Sequence, residues 1–173
     1  MALGDNTKKI LSLSDQLDFR LVTISDFPSS EEANLYVSGG WDNKFPNFEY
    51  RNAISYLEIE KFNDGEIDFC LIDTDHNYWT LKKELEALHP KMSVKGIVCL
   101  HDTQTYRKNT GGIYPGGYKT NDKYPLAEIE AEQKKGKGMG HAIFEFLADR
   151  HEYIVLKESV ESHGAMALEK ICA

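Results

Sequence analysis

The chain has 173 residues, 41% of them hydrophobic, and its 20 Lys+Arg against 28 Asp+Glu give a net charge of −8 at pH 7. That is enough apolar material for a single domain, 1–173, with a real core. The acidic balance argues against a general nucleic-acid or membrane-surface binder, because phosphate binding needs clustered cation.

No apolar run approaches the ~18 residues of a membrane span, and the N-terminal MALGDNTKK lacks the apolar stretch of a signal peptide. A cytoplasmic location is expected, with no membrane and no nucleic acid as partner. Cys70, Cys99 and Cys172 have no metal-type spacing, and the first two lie in apolar runs. They read as small buried hydrophobes in a reducing compartment.

In chain order, Ala2-Leu3-Gly4-Asp5-Asn6 resembles the end of a helix with its glycine stop. Lys9–Leu13 reads as a short strand, and Phe19–Ile24 (FRLVTI) as a better one that ends at Ser25-Asp26. The turn-like Ser14–Asp18 between them is too short for a crossover helix. Pro28-Ser29-Ser30-Glu31-Glu32 signals a helix start, and Gly39-Gly40 and Pro46 break the pattern. Residues Ser38–Asn47 are expected as an exposed loop, Phe48–Arg51 as a strand, and Ala53–Phe62 as a helix closed by Asn63-Asp64-Gly65.

Ile67–Ile72 is a near-continuous apolar run, as in a strand buried on both faces of a parallel sheet. Tyr78, Leu81, Leu85 and Leu88 mark one face of a helix over Tyr78–His89, which Pro90 ends. Lys95-Gly96 turns into a second buried strand, Ile97–Leu100. Strand, helix, strand over about forty residues is a βαβ unit with a right-handed crossover. Residues Arg107–Pro125 carry four glycines, two prolines and three tyrosines without a period, which reads as a mobile loop and a substrate lid or a plain insertion. A charged segment, Leu126–Lys137, precedes a helix over Met139–Arg150. Tyr153–Ser159 and Ala165–Ile171 are expected to form an antiparallel hairpin.

Each of the two buried runs ends in acid and imidazole. Asp73, Asp75 and His76 follow the first, and His101 and Asp102 follow the second. Ligands bind outside the carboxyl ends of strands in open α/β sheets, so Asp73 and His101-Asp102 fall at the functional edge. Two carboxylates and an imidazole make half of an octahedral shell, suited to Mg²⁺, or to Mn²⁺ and Fe²⁺ given the histidine. The plain alternative is that both acids cap the turns that follow. His76, three residues past Asp73, has the chemistry of a general base, against a simple loop position.

Asp73-Thr74-Asp75-His76-Asn77-Tyr78 and Lys95-Gly96-Ile97-Val98-Cys99-Leu100-His101-Asp102-Thr103 resemble the class I S-adenosylmethionine-dependent methyltransferases. They are most similar to the small-molecule O-methyltransferase branch, with its "IDGDHSY" motif after strand four and "GGxxxxHDT" at strand five. Gly140–Leu147 and the two strands after it are similar to that family's last helix and strand pair. The resemblance implies an α/β, Rossmann-like sheet, mostly parallel with an antiparallel C-terminal hairpin, and S-adenosylmethionine as cofactor. It implies an enzyme that carries out metal-assisted O-methyl transfer to a small hydroxylated substrate, a sugar or secondary metabolite. A homo-oligomer is compatible with it. Carried over residue by residue, Asp73, His101 and Asp102 are the metal ligands and His76 the catalytic base.

The same resemblance assigns donor contacts to Asp26, Asn52, Ala53 and Asp73. Asp15 is a second option for the ribose-binding acid, and relatives often carry Gly-Asp where Asn52-Ala53 stand. The family's first strand and its glycine-rich turn, roughly E-x-G-x-x-x-G, have no counterpart, so the expectation is a truncated domain lacking its first strand and helix. Two other readings keep the residues: an inactive methyltransferase-like domain that binds a ligand or partner, and a metal-dependent hydrolase.

Overall fold

A computed structural model of the chain describes residues 5–13, 17–25, 41–73, 75–105, 107, 125–161 and 163–173. Two compact units divide at Glu58 and Ile59.

The first unit holds helix α1 (Asp5–Leu11), strand β1 (Leu21–Ile24), helix α2 (Trp41–Lys44) and strand β2 (Phe48–Arg51), with α3 (Ser55–Ile59) at its boundary. Strands β1 and β2 pair in parallel, Leu21 with Phe48 through Ile24 with Arg51. Their core is Leu11, Trp41 and Phe48, with Leu21, Phe45 and Tyr50 against it. The Trp41 ring meets Phe48 edge-on at 5.9 Å between centroids, a geometry aromatic quadrupoles favour.

Three expectations are corrected here. Lys9–Leu13 is no strand: helix α1 runs through Gly4's neighbour Asp5 to Leu11, because burying Leu11 against Trp41 and Phe48 outweighs a weak local strand preference. The expected loop Ser38–Asn47 contains α2, and Trp41 is buried. Helix α3 is shorter than Ala53–Phe62; its buried residues are Glu58 and Ile59, Ile54 just before it is also buried, and Leu57 is exposed. The expected helix start at Pro28–Glu32 lies outside the described residues.

The second unit contains strand β3 (Ile67–Ile72), helix α4 (Tyr78–Lys91), strand β4 (Met92–His101), helices α5 (Leu126–Lys134) and α6 (Met139–Asp149), and strands β5 (Tyr153–Ser159) and β6 (Ala165–Lys170). Its sheet has the order β3-β4-β6-β5. Strands β3 and β4 are parallel, and β6 is antiparallel to both β4 and β5. The α/β sheet with an antiparallel hairpin is therefore as the sequence indicates. The cross-strand rows Ile72, Leu100, Met166 and Cys70, Val98, Leu168 share one side of the sheet, and of these Ile72, Leu100, Met166, Val98 and Leu168 are buried. Leu81, Leu85 and Leu88 of α4 are at most 1% exposed, as the helical spacing of the apolar residues requires.

Helix α4 is capped by Asn77, whose side chain accepts from the Thr80 amide at 2.8 Å, satisfying a donor that the helix leaves open. Pro90 sits in its last turn rather than after it. Strand β4 is longer than Ile97–Leu100; Lys95 takes a positive φ of 70° at an irregularity in the β3–β4 register, which lets Met92 also pair with Ile67. Strand β3 is not buried on both faces: Phe69 and Leu71 are 54% and 41% exposed. Phe69 and Leu71 share the face opposite Cys70 and Ile72, and a strand is fully buried only where both of its faces are covered. No described helix is long and apolar enough to cross a membrane.

Candidate active site

The parallel register sets the site. Ile72 lies opposite Leu100, so the residues that follow, Asp73 and His101, emerge side by side at the carboxyl ends of β3 and β4. His101 Nδ1 is 3.3 Å from Asp73 Oδ1 and 2.9 Å from Asp102 Oδ1. The chain then turns between Asp73 and the Asn77 cap and brings His76 back. His76 Nε2 is 2.8 Å from Asp102 Oδ2 and 3.8 Å from Asp73 Oδ1. One carboxylate, Asp102, thus spans two imidazoles.

The Asp102 backbone has φ 58°, the left-handed region that Asp tolerates better than most residues. Its side chain and that of His76 are 15% and 12% exposed. The nearby His76 imidazole, first, and then the His101 charge hold the Asp73 carboxyl below its ordinary value, against the opposing effect of burial. Asp73 is accordingly an anion at neutral pH. The cysteines stand apart from this chemistry: Cys70, Cys99 and Cys172 are free, and burial, then the Glu84 charge, pushes the Cys70 thiol up to about 12.

A divalent cation fits these residues. Asp73, His76 and Asp102 bring one ligand atom each within 4.8 Å of one another. His101 Nδ1 and Asp102 Oδ1 are buried and close, yet out of line for a hydrogen bond with each other. Buried polar atoms in that state carry a desolvation cost that a shared cation removes. The donor set of oxygen and imidazole matches Mg²⁺, Mn²⁺ or Fe²⁺. The cluster of Asp73, His76 and Asp102 has His76 where the sequence spacing points to His101.

In the first unit, Asn52 and Ala53 follow the end of β2, and the Ala53 amide donates to the Ser25 carbonyl at 3.2 Å, past the end of β1. Asp15 and Asp26 lie outside the described residues, as does the expected lid apart from Arg107 and Pro125. Sequence spacing missed Asn77 as the cap that turns the chain after His76, although Asn before a periodic apolar run is the usual signal. It also missed the contacts of His163 with the segment after Asp102, for which the sequence offers no signal beyond Gly164 in a hairpin turn.

A family model described as a methyltransferase domain matches residues 2–103, more than half of the chain. No curated protein matches in sequence. Among solved structures, a candidate caffeoyl-CoA O-methyltransferase from Staphylococcus aureus is similar with a TM-score of 0.62 at 16% identity, covering 97% of this chain and 72% of its own. An SAH-bound methyltransferase from Podospora anserina gives 0.56 at 13% identity, with 87% of this chain and 60% of its own covered. A Corynebacterium glutamicum protein gives 0.53 at 11% identity, with 89% and 62% covered. The chain thus spans about 60% of the length of these last two structures.

Proposed function

The chain belongs to the methyltransferase domain family, and from that premise we propose that it transfers a methyl group from S-adenosylmethionine to a hydroxyl of a small polar molecule, with a divalent cation at Asp73, His101 and Asp102. The observation that carries this reading is the Asp102 carboxylate set between two imidazoles, 2.8 Å from His76 and 2.9 Å from His101, with Asp73 beside them. The SAH-bound neighbour supports the choice of donor, since S-adenosylhomocysteine is what such a donor leaves behind. The donor supplies an electrophilic methyl, and a cation bound at these ligands lowers the pKa of an acceptor hydroxyl.

The protein's own part is proton handling and orientation. His76 Nε2 lies 2.8 Å from Asp102 Oδ2, which leaves Nδ1 as the atom to take the acceptor's proton. Asp102 then stabilises the imidazolium it faces, as a buried acid does for a catalytic histidine. Asp73, held ionised, contributes charge beside both rings. His101 is assigned as the third ligand on the family resemblance, although His76 also lies against both acids, and on that assignment His76 is left for the base. Donor contacts at Asp26, Asn52, Ala53 and Asp73, and a sugar or secondary-metabolite acceptor, complete the proposal.

Isothermal titration of S-adenosylmethionine, followed by a labelled-methyl assay against a panel of sugars and phenols, tests it. The expected outcome is saturable donor binding and transfer, with His76→Ala lowering kcat about 100-fold or more while donor affinity stays unchanged. Absence of donor binding at millimolar concentration, or full activity in His76→Ala, contradicts it.

A further inference from the structure

The segment that leaves β4 is pinned by the turn that leads into β6, the antiparallel neighbour of β4. The His163 carbonyl accepts from the Gln104 amide at 2.9 Å and from the Thr105 amide at 3.1 Å. The His163 ring, through Nδ1, is 3.0 Å from the Thr105 hydroxyl. Gly164 lies so close that a Cβ there would stand 2.7 Å from the Gln104 backbone nitrogen. Both turn residues have left-handed backbones, His163 at φ 75° and Gly164 at φ 89°. Glu158 extends the tie, accepting from Gln104 Nε2 at 2.8 Å and facing Arg107 at 3.4 Å.

Asp102 is two residues upstream of this tie. Its left-handed φ of 58° is a conformation of higher energy that persists only where neighbours fix it. On one side it is fixed by the β4–β6 ladder, in which His101 pairs with Ala165. On the other it is fixed by two amides converging on a single carbonyl. Thr103, between them, is 3% exposed, so this short piece of chain has little room to relax.

We infer that the His163-Gly164 turn is a latch that positions Asp102, holding its carboxylate between His76 and His101. His163 is a positioning residue: it reaches the site through Gln104 and Thr105 and touches none of the reacting groups. The inference rests on the proposed cation site for its functional meaning, and on the backbone geometry for its structural one. It also explains why the hairpin turn needs an unsubstituted Cα at Gly164 in the left-handed region, where any side chain is strained and would push Gln104 away.

Three variants separate latch from general structure: Gly164→Ala, His163→Val and His163→Asn. Asn adopts a left-handed backbone readily and offers an amide to Thr105, whereas a β-branched Val does neither. In variants that keep the wild-type circular dichroism, the readouts are Mn²⁺ affinity by calorimetry and amide exchange at Gln104 and Thr105. Gly164→Ala and His163→Val are expected to weaken Mn²⁺ binding about 10-fold or more, the range for groups that orient metal ligands, and to expose both amides. His163→Asn is expected to stay near wild type in both. Wild-type Mn²⁺ affinity in a folded Gly164→Ala or His163→Val chain overturns the latch.

If the wild-type chain itself binds no Mn²⁺, the cation site falls and the latch is judged on the ring resonances of His76 and His101. Movement in His163→Val with none in His163→Asn supports it, and unmoved resonances in both overturn it. Should the first two variants fail to fold, Thr105→Val, which removes only the hydroxyl contact, gives the same two readings with a smaller expected loss.

Discussion

Asp102 does three things from one position: its two oxygens face His101 and His76, and its backbone turns the chain out of β4. The residue types at this site were readable from the sequence because two apolar runs stop abruptly at them. The order of contacts was not, since which imidazole meets which acid depends on how the chain folds back between Asp73 and Asn77. A second residue-scale centre is Glu145, which Tyr78, Lys82 and Lys137 all contact. Hydrogen bonds from Lys137, then Tyr78, hold its carboxyl at about 2. A carboxyl lowered on folding contributes stability that is complete above its unfolded value near 4.5 and is lost as pH falls toward 2. Because the group is 37% exposed, solvent screening limits that contribution to about 1 kcal/mol or less. Urea unfolding of Glu145→Gln is expected to show a small deficit at pH 7 that vanishes near pH 2; a deficit that grows on acidification contradicts the assignment.

Among the elements, α4 couples fold to site most directly. It begins at Tyr78, two residues after His76, and the Asn77 side chain caps it with bonds to both the amide and hydroxyl of Thr80. Asn77→Ala is expected to cost about 1 kcal/mol in denaturant unfolding and to reduce turnover, since the turn carrying His76 loses its anchor. Unchanged turnover at lowered stability would show that His76 is placed without the cap. The long helix was legible because burial selects its spacing, with Leu81, Leu85 and Leu88 buried; the strands Ile67–Ile72 and Phe48–Arg51 fall at their expected bounds, although β3 exposes Phe69 and Leu71. Helix α1 was misread because five residues around Lys9 carry too little periodicity, and the decision is made by Leu11 packing on Trp41 and Phe48. Trp41 was hidden for the same reason, its neighbours Gly39-Gly40 and Pro46 reading as loop while the indole itself is core.

At the scale of the whole molecule, the family match and the β3-β4-β6-β5 order agree with the sheet that the motifs implied. What the motifs could not convey is the long-range tie of His163 to Gln104 and Thr105, nearly sixty residues apart in sequence, because no local pattern encodes a contact of that kind. The acidic charge of −8 suits a cation site and a polar acceptor better than a phosphate-rich partner. The proposed activity turns on whether Asp73, His101 and Asp102 hold a cation. Asp102→Asn is the sharpest probe, since Asn retains the left-handed backbone and removes only the charge. Calorimetric titration of Mn²⁺ is expected to give one saturable site per chain in the wild type and a loss of about 10-fold or more in affinity for Asp102→Asn, with the thermal unfolding of the cation-free chains little changed. Equal Mn²⁺ affinity in the two proteins would contradict the cation site at these residues.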